Sequence, residues 1–212
     1  MMADRILLVC TANECRSPYA GAVLHSLLRE GGANGVDITT AGTHVRPGLP
    51  MCDDAAQRLP DLEAKATHRA RSLVAEDVES ASLILVAERR HRAAIVRISP
   101  TASARTFTLL EAAALGAASH LDGVSIASGE SLEAFAARLH GARGLAGVIE
   151  LDIADGHHRT PRRHRRTLDG VEVAASAIAN ALLGREPAEA VHESLRRSWR
   201  SSRLSRDDES AW

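Results

Sequence analysis

Apolar positions along this chain fall into short continuous runs separated by segments with helical spacing. Arg5 to Cys10 carries the unbroken apolar stretch Ile6, Leu7, Leu8, Val9, as expected of a strand buried on both faces of a parallel sheet. It ends in a polar turn from Thr11 to Ser17. Pro18 then stands where a first helical residue belongs, with Ser17 as a candidate N-cap. Ala20, Val23, Leu24, Leu27 and Leu28 follow at helical spacing up to the Gly31-Gly32 stop. The chain thus opens as strand, polar loop, helix.

The alternation continues. Val36 to Thr40 predicts a second strand, followed by a Gly/Pro-rich loop through Pro50 and a helix from Asp53 to Leu59. Leu83 to Ala87 predicts a third strand, with a helix starting among the Arg and His residues behind it, and Arg105 to Leu109 a fourth. Glu111 to Leu145 is Ala-rich and helical, interrupted between Gly116 and Gly129. Val148 to Asp155 is a short extended or turn segment, and Pro161 to Leu183 a final helix. Strands alternating with helices imply a three-layer α/β fold, a four-stranded parallel sheet with helices on both faces. The predicted organisation is one domain over residues 1–184, with 111–147 as an extended helical insertion and 185–212 as a charged, mobile tail.

Composition narrows the function classes. A 45% hydrophobic and 25% charged chain of 212 residues with net charge -1 is an ordinary globular protein, with no global bias toward nucleic acid or membrane. No stretch approaches the roughly 20 apolar residues of a membrane helix, and the run after Asp4 and Arg5 is too short for a signal peptide, so a cytoplasmic location is expected. The 3 cysteines, Cys10, Cys15 and Cys52, are too few for a disulfide scaffold; in a reducing compartment catalytic or redox roles are expected of them. No G-x4-G-K-[ST] pattern supports ATP-driven chemistry.

The segment that carries chemistry runs from Val9 to Pro18. It places Cys10 at the end of a buried strand, Arg16 six positions later, and a helix start directly behind. Backbone N–H groups of Thr11, Ala12, Asn13, Glu14 and Cys15 can converge on an anion there, and the helix N-terminus adds partial positive charge. Such surroundings favour a thiolate. The Arg16 guanidinium offers planar paired donors to two phosphoryl oxygens. Asn13 tolerates left-handed backbone, and Ser17 can donate to the Cys10 sulfur.

This C-x5-R-S-P loop, directly after the first strand and near the start of the chain, resembles the signature of the low-molecular-weight protein-tyrosine phosphatases, within the wider arsenate reductase/protein-tyrosine-phosphatase-like superfamily. The resemblance implies a flavodoxin-like low-molecular-weight phosphatase fold and a cysteine-dependent phosphomonoester hydrolase working through a phosphocysteine. Cys10 is the implied nucleophile, Arg16 the phosphate clamp and Asp155, in the segment Leu151 to Gly156, the general acid. Thr11, Ala12, Asn13, Glu14, Cys15 and Ser17 line the anion loop. Thr40, in Thr40-Ala41-Gly42-Thr43, and His68, in His68-Arg69-Ala70-Arg71, are the implied supports of the loop asparagine. Asp152 competes with Asp155 for the acid role and reads as a turn or cap residue. Spacing and resemblance together imply reversible oxidation through a Cys10–Cys15 disulfide.

Three departures from the family pattern concern substrate and loop. Gly156 stands where the family has proline, so Gly156→Pro is expected to preserve or raise the rate if the glycine merely loosens a working loop. His157 and His158, with His44 and Val45, occupy the places of the pocket aromatics. Glu14 replaces an apolar residue, or the threonine of the family's arginine phosphatases, and reads as a solvated side chain facing away from the pocket unless it meets a cationic substrate group. The basic run His157 to Arg166 reads equally as a steering patch and as a solvated helix face; nucleic-acid binding is disfavoured by the missing aromatic interleaving.

The expected partner is a phosphorylated protein or small phosphate ester, with no cofactor, no metal and the oligomeric state left open. An arsenate reductase of the same fold is an alternative, but it needs further cysteines near Leu83 to Ala94 and Cys52 lies too early in the chain. A catalytically weak phosphate-binding regulatory module is a second alternative. A zinc site using Cys10, Cys15, Cys52 and a histidine lacks paired C-x2-4-C spacing.

Overall fold

A computed structural model describes residues 4–60, 67–118, 124–143 and 152–186. Four strands, β1 (Arg5–Cys10), β2 (Asp37–Gly42), β3 (Leu83–Val86) and β4 (Thr106–Thr108), form one sheet in the order β2-β1-β3-β4. Every pairing is parallel, with Leu8 opposite Thr40 on one side and Leu85 on the other. Between them run helices α1 (Arg16–Glu30), α2 (Asp53–Arg58), α3 (Ala75–Ser80) and α4 (Arg89–Ile98). Helices α5 (Leu109–Ala118), α6 (Leu132–Ala142) and α7 (Pro161–Leu182) follow the last strand.

The strand runs predicted from apolar continuity are those that form the sheet, and the physical reason is visible in their burial. Alternate side chains of a strand point to opposite faces. Ile6 and Leu8 of β1 and Leu83 and Leu85 of β3 join Phe107, Leu24 of α1, Leu115 of α5 and Ile178 of α7 in the larger core. Leu7, Val9, Ile84 and Val86 meet Val78, Ile95 and Ala102 on the other face. Both faces of the central strands are covered, so β1 and β3 show no polar alternation. Leu24 is fully buried, and its truncation to alanine would cost about 2–5 kcal/mol.

Boundaries moved where side chains had other work. α1 begins at Arg16 with Cys15 as its N-cap, and no side chain caps it. Ser17, read above as the cap, lies inside the first turn because its hydroxyl is drawn to the Cys10 sulfur. β4 is shorter than expected, since Leu109 already begins α5. Leu132, Phe135 and Leu139 of α6 bury into the same core as β1 and α1. Arg143 ties this region to the sheet edge through Glu111 Oε1 at 2.8 Å and the Thr106 carbonyl at 2.6 Å. Among the described residues no helix is long and apolar enough to cross a membrane. Residues 187–212, most of the expected tail, and Val148 to Leu151 of the expected extended segment lie outside the described residues.

This topology sets the site. The chain leaves β1 toward β2, then crosses back to β3, so the carboxyl ends of β1 and β3 flank the crevice where open α/β sheets bind ligands. Cys10 ends β1, and Glu88 lies two residues past the end of β3.

Candidate active site

Residues 11–15 fold into a tight loop over the end of β1. Asn13 takes the left-handed conformation at φ 57°, the backbone the loop reading required of it. Its buried side chain is fully engaged: Nδ2 donates to Thr40 Oγ1 at 2.9 Å and to Ser17 Oγ at 3.0 Å, while Oδ1 accepts from the Arg71 backbone N–H at 3.0 Å. His68 Nε2 donates to the Asn13 carbonyl at 2.8 Å. Burial holds His68 below the ordinary histidine range, in keeping with a neutral donor. The loop sits so close to β2 that a Cβ on Gly42 would fall 2.6 Å from the Thr11 carbonyl oxygen and 3.0 Å from the Asn13 nitrogen. That explains the glycine in the Thr40 to Thr43 segment.

The Cys10 sulfur is buried at the centre of this loop. It lies 3.1 Å from Ser17 Oγ and accepts from the Asn13 backbone N–H at 3.3 Å. With no side chain capping α1, its first-turn amides remain oriented toward the loop interior. Pro18 costs nothing there, because a first-turn N–H has no helical partner to lose.

Arg16 is 1% exposed, and its guanidinium is held from several elements. Nη1 pairs with Glu88 Oε1 and donates to the Ile153 carbonyl at 3.0 Å. Nη2 donates to Thr11 Oγ1 at 3.2 Å and to Asp155 Oδ2 at 2.5 Å. Glu88 was not singled out from sequence. Burial pushes its carboxyl upward, but hydrogen bonds from Arg90 and Arg16 outweigh that and hold it below the usual range. Its signal was positional: a carboxylate just past a central parallel strand, at the switch point.

His91 is a second residue that the spacing did not reveal. Its Nδ1 accepts from the Glu88 backbone N–H at 3.1 Å, so Nε2 carries the proton and donates to Thr11 Oγ1 at 3.0 Å. Burial, reinforced by the positive Arg16, pushes His91 down to about 4. A neutral histidine thus orients Thr11 at the rim of the loop.

Asp155 and Asp152 separate cleanly. Asp155 reaches the crevice, its Oδ1 accepting from the His157 backbone N–H at 3.0 Å while Oδ2 faces Arg16. Asp152 Oδ1 accepts from the Arg89 backbone N–H at 2.7 Å and binds the Arg89 guanidinium, so it caps the start of α4. The cap reading of Asp152 agrees with this contact.

Gly156 needs a correction. A Cβ there would fall 2.7 Å from the Arg163 carbonyl oxygen and would also collide with Thr167 Oγ1. Its absence of side chain is what lets the Asp155 loop lie against α7, where Thr167 Oγ1 donates to the Ala154 carbonyl at 3.0 Å. The glycine packs the loop instead of loosening it, so proline at this position is excluded by contact.

Glu14 is half-buried, and its carboxylate lies within 4.8 Å of ring nitrogens of His157 and His158. The two imidazoles stack with centroids 3.8 Å apart, and burial holds His157 below its ordinary range. His164 and Cys52 were not placed near the loop by sequence reasoning. Cys15 Sγ lies 3.1 Å from His164 Nε2, and Cys52 Sγ 3.7 Å from the same nitrogen. Cys52, set aside as too early in the chain, therefore stands beside the loop, and all three cysteines are free thiols.

A buried thiol that accepts from a loop amide, a buried guanidinium at the end of the same loop and a carboxylate bonded to that guanidinium are the groups that phosphoryl transfer to sulfur and protonation of the departing atom require. The family model of the low molecular weight phosphotyrosine protein phosphatases matches residues 5–122. A protein-arginine-phosphatase of Geobacillus stearothermophilus is 36% identical over 108 residues, 51% of this chain and 70% of the relative. The low molecular weight protein-tyrosine-phosphatase Etp of Escherichia coli K12 is 35% identical over 107 residues, 49% of this chain and 67% of that one. Among solved structures, the YwlE arginine phosphatase from Geobacillus stearothermophilus superimposes with a TM-score of 0.58 at 27% identity, covering 84% of this chain and 92% of the other. The tyrosine phosphatase Wzb from Escherichia coli K30, in complex with phosphate, shares the fold at a TM-score of 0.59 and 22% identity, over 85% and 99% of the two chains.

Proposed function

The chain belongs to the low molecular weight phosphotyrosine protein phosphatase family, and from that premise we propose how its own residues divide the reaction. The enzyme is a phosphatase. Cys10 attacks phosphorus in line and expels the substrate oxygen or nitrogen; the phosphorus–leaving-atom bond breaks as the phosphorus–sulfur bond forms. Arg16 and the loop amides hold the equatorial oxygens, and Asp155 delivers the proton to the leaving atom. Water then attacks the phosphocysteine, Asp155 takes its proton, and phosphate leaves with the Cys10 thiolate restored. Ser17 and the Asn13 amide steady the sulfur; Thr40, His68 and Arg71 steady Asn13; Glu88 and His91 steady Arg16 and Thr11. The observation that carries this reading is the buried Arg16 guanidinium, bonded to Asp155 at the end of the loop whose Asn13 amide donates to the Cys10 sulfur.

Cys10→Ser tests it. The expected result is loss of turnover with retained phosphate affinity, while a chelator leaves the wild-type rate unchanged. Turnover near wild type in Cys10→Ser would remove the nucleophile assignment.

One observation favours a narrower substrate. Glu14 lies beside His157 and His158, and His157 follows Asp155 by two residues; an anionic carboxylate there suits a cationic substrate group, where an aromatic ring would suit a phenol. We read the substrate as phosphoarginine on protein, its guanidinium accepted by Glu14, with phosphotyrosine as the lesser substrate. A Glu14→Gln variant is expected to lose kcat/KM on phosphoarginine peptides by at least tenfold and to keep it on phosphotyrosine peptides. Equal losses on both would overturn the substrate reading and leave the mechanism standing.

We take residues 1–184 as the phosphatase domain with 111–147 inserted, supported by the burial of Leu115, Phe135 and Leu139 in the common core. A cytoplasmic setting suits three free thiols.

A further inference from the structure

Beside the catalytic loop, three potential ligand atoms from three separate elements converge. Cys15 is the N-cap of α1, Cys52 the N-cap of α2, and His164 lies in the first turn of α7. Cys15 Sγ, Cys52 Sγ and His164 Nε2 all lie within 4.8 Å of one another. The His164 nitrogen stands 3.1 Å and 3.7 Å from the two sulfurs. Zinc–sulfur bonds of about 2.3 Å and zinc–nitrogen bonds of about 2.0 Å at tetrahedral angles set such atoms about 3.5–3.8 Å apart. The Cys15–His164 spacing needs a small outward shift, and the Cys52–His164 spacing already lies in this range.

Two further observations fit a cation at this place. His164 Nδ1 lies 2.7 Å from Asp54 Oδ2, which holds the proton on Nδ1 and turns the Nε2 lone pair toward the two sulfurs. A carboxylate behind a histidine is the usual outer partner of a metal-bound imidazole. The elements are also braced against each other, since the Cys52 backbone N–H donates to the Glu14 carbonyl at 2.7 Å. A disulfide between Cys15 and Cys52 would have no use for an imidazole in bonding range of both sulfurs with an acidic residue behind it.

We propose that Cys15, Cys52 and His164 form a zinc site next to the catalytic loop, with Asp54 as its outer support and the fourth coordination position left to water. Two sulfurs and one imidazole suit zinc among the common divalent ions. Binding converts both thiols to thiolates and releases two protons to solvent, with no change of oxidation state. The site is separate from the chemistry at Cys10 and does not depend on the substrate reading above.

The test uses the full chain, kept reduced with a phosphine and stripped of metal, with zinc chloride added against a chromophoric chelator. Cys10→Ser removes the competing nucleophile thiol and is expected to bind one zinc per chain with wild-type affinity. Adding Cys52→Ser or His164→Asn should weaken that binding at least 100-fold, and Asp54→Asn by about 10–100-fold. Cobalt(II) in the same chains should show thiolate-to-metal charge-transfer bands that vanish with Cys52→Ser. Cys52→Ser and His164→Asn alone, assayed without metal, report folding through their retained phosphatase rate. Unchanged zinc affinity in folded Cys52→Ser and His164→Asn chains overturns the proposal. So does loss of zinc with Cys10→Ser alone, which would place the ion on the nucleophile.

Discussion

Asp155 Oδ2 lies 2.5 Å from Arg16 Nη2, so the proposed acid and the proposed phosphate clamp hold each other when the crevice carries no phosphate. A bound phosphoryl group competes for the same guanidinium and frees the carboxyl to face the leaving atom. Asp155→Ala is therefore expected to lower the rate about 10²–10⁴-fold on an alkyl phosphate, and far less on a nitrophenyl ester, whose leaving group needs little protonation. Asp152→Ala should show no such dependence, because its carboxylate caps α4 at the Arg89 amide. Steady-state rates across a series of leaving groups distinguish the two. Equal slopes would mean that neither aspartate is the acid.

Gly156→Ala and Gly156→Pro are both expected to slow the enzyme. Either substitution drives a Cβ into the Arg163 carbonyl oxygen at 2.7 Å, and the acid loop must lift from α7 to avoid it. The loss should be concentrated on poor leaving groups, on the order of 10²-fold, matching displacement of Asp155 instead of damage to the Cys10 loop. A rate at or above wild type in Gly156→Pro would show that the loop has room the packing denies.

Asn13 combines a left-handed backbone with three side-chain hydrogen bonds in a buried setting, and two substitutions separate the contributions. Asn13→Gly keeps the backbone conformation and leaves Thr40 and the Arg71 amide without their partner, for an expected loss of about 1–3 kcal/mol in unfolding free energy. Asn13→Ala adds the left-handed strain, about 1 kcal/mol more. Urea unfolding measures both. If the alanine variant were the more stable, the loop would not require positive φ at this position.

His91 carries the pH prediction. It is neutral in the fold, pushed from 6.5 down to about 4 by burial and then by the Arg16 charge, while in the unfolded chain it titrates near its ordinary value. Between about pH 6.5 and pH 4 the unfolded chain takes up a proton that the folded chain does not. Stability is then full above pH 6.5 and falls as the pH drops through that window, by roughly 3 kcal/mol at its lower end. His91→Gln can still accept from the Glu88 amide and donate to Thr11, and should flatten this part of the profile. Unfolding midpoints at pH 7.5 and pH 5 for the two proteins check it; identical slopes would place the titrating group elsewhere.

The strand at Arg5 to Cys10, the polar loop behind it and the helix opening at Arg16 were legible because each follows from local rules: apolar continuity, the fixed six-residue reach from Cys10 to Arg16, and a loop ending in Ser-Pro. The same locality made Asn13 readable as a left-handed residue, and let Asp152 be told from Asp155 by its place in the segment. What the loop does to an anion is a property of contiguous backbone amides, so it survives translation from sequence to space with little loss.

Contacts between distant segments obeyed no such local rule. Glu88 and His91 reach the loop because β3 pairs with β1, a choice made by the burial of both strands and not by spacing. Gly156 looked like a looser proline until α7 was seen packed against it. Cys52 and His164, 112 positions apart, meet Cys15 only because α2 and α7 both dock beside the start of α1. The amino-acid sequence by itself determined the Cys10–Arg16 loop and the layered sheet, whose information lies in neighbouring residues. The tertiary structure alone decided which carboxylates, imidazoles and second thiols surround that loop, because their positions depend on how whole helices bury their apolar faces against one sheet.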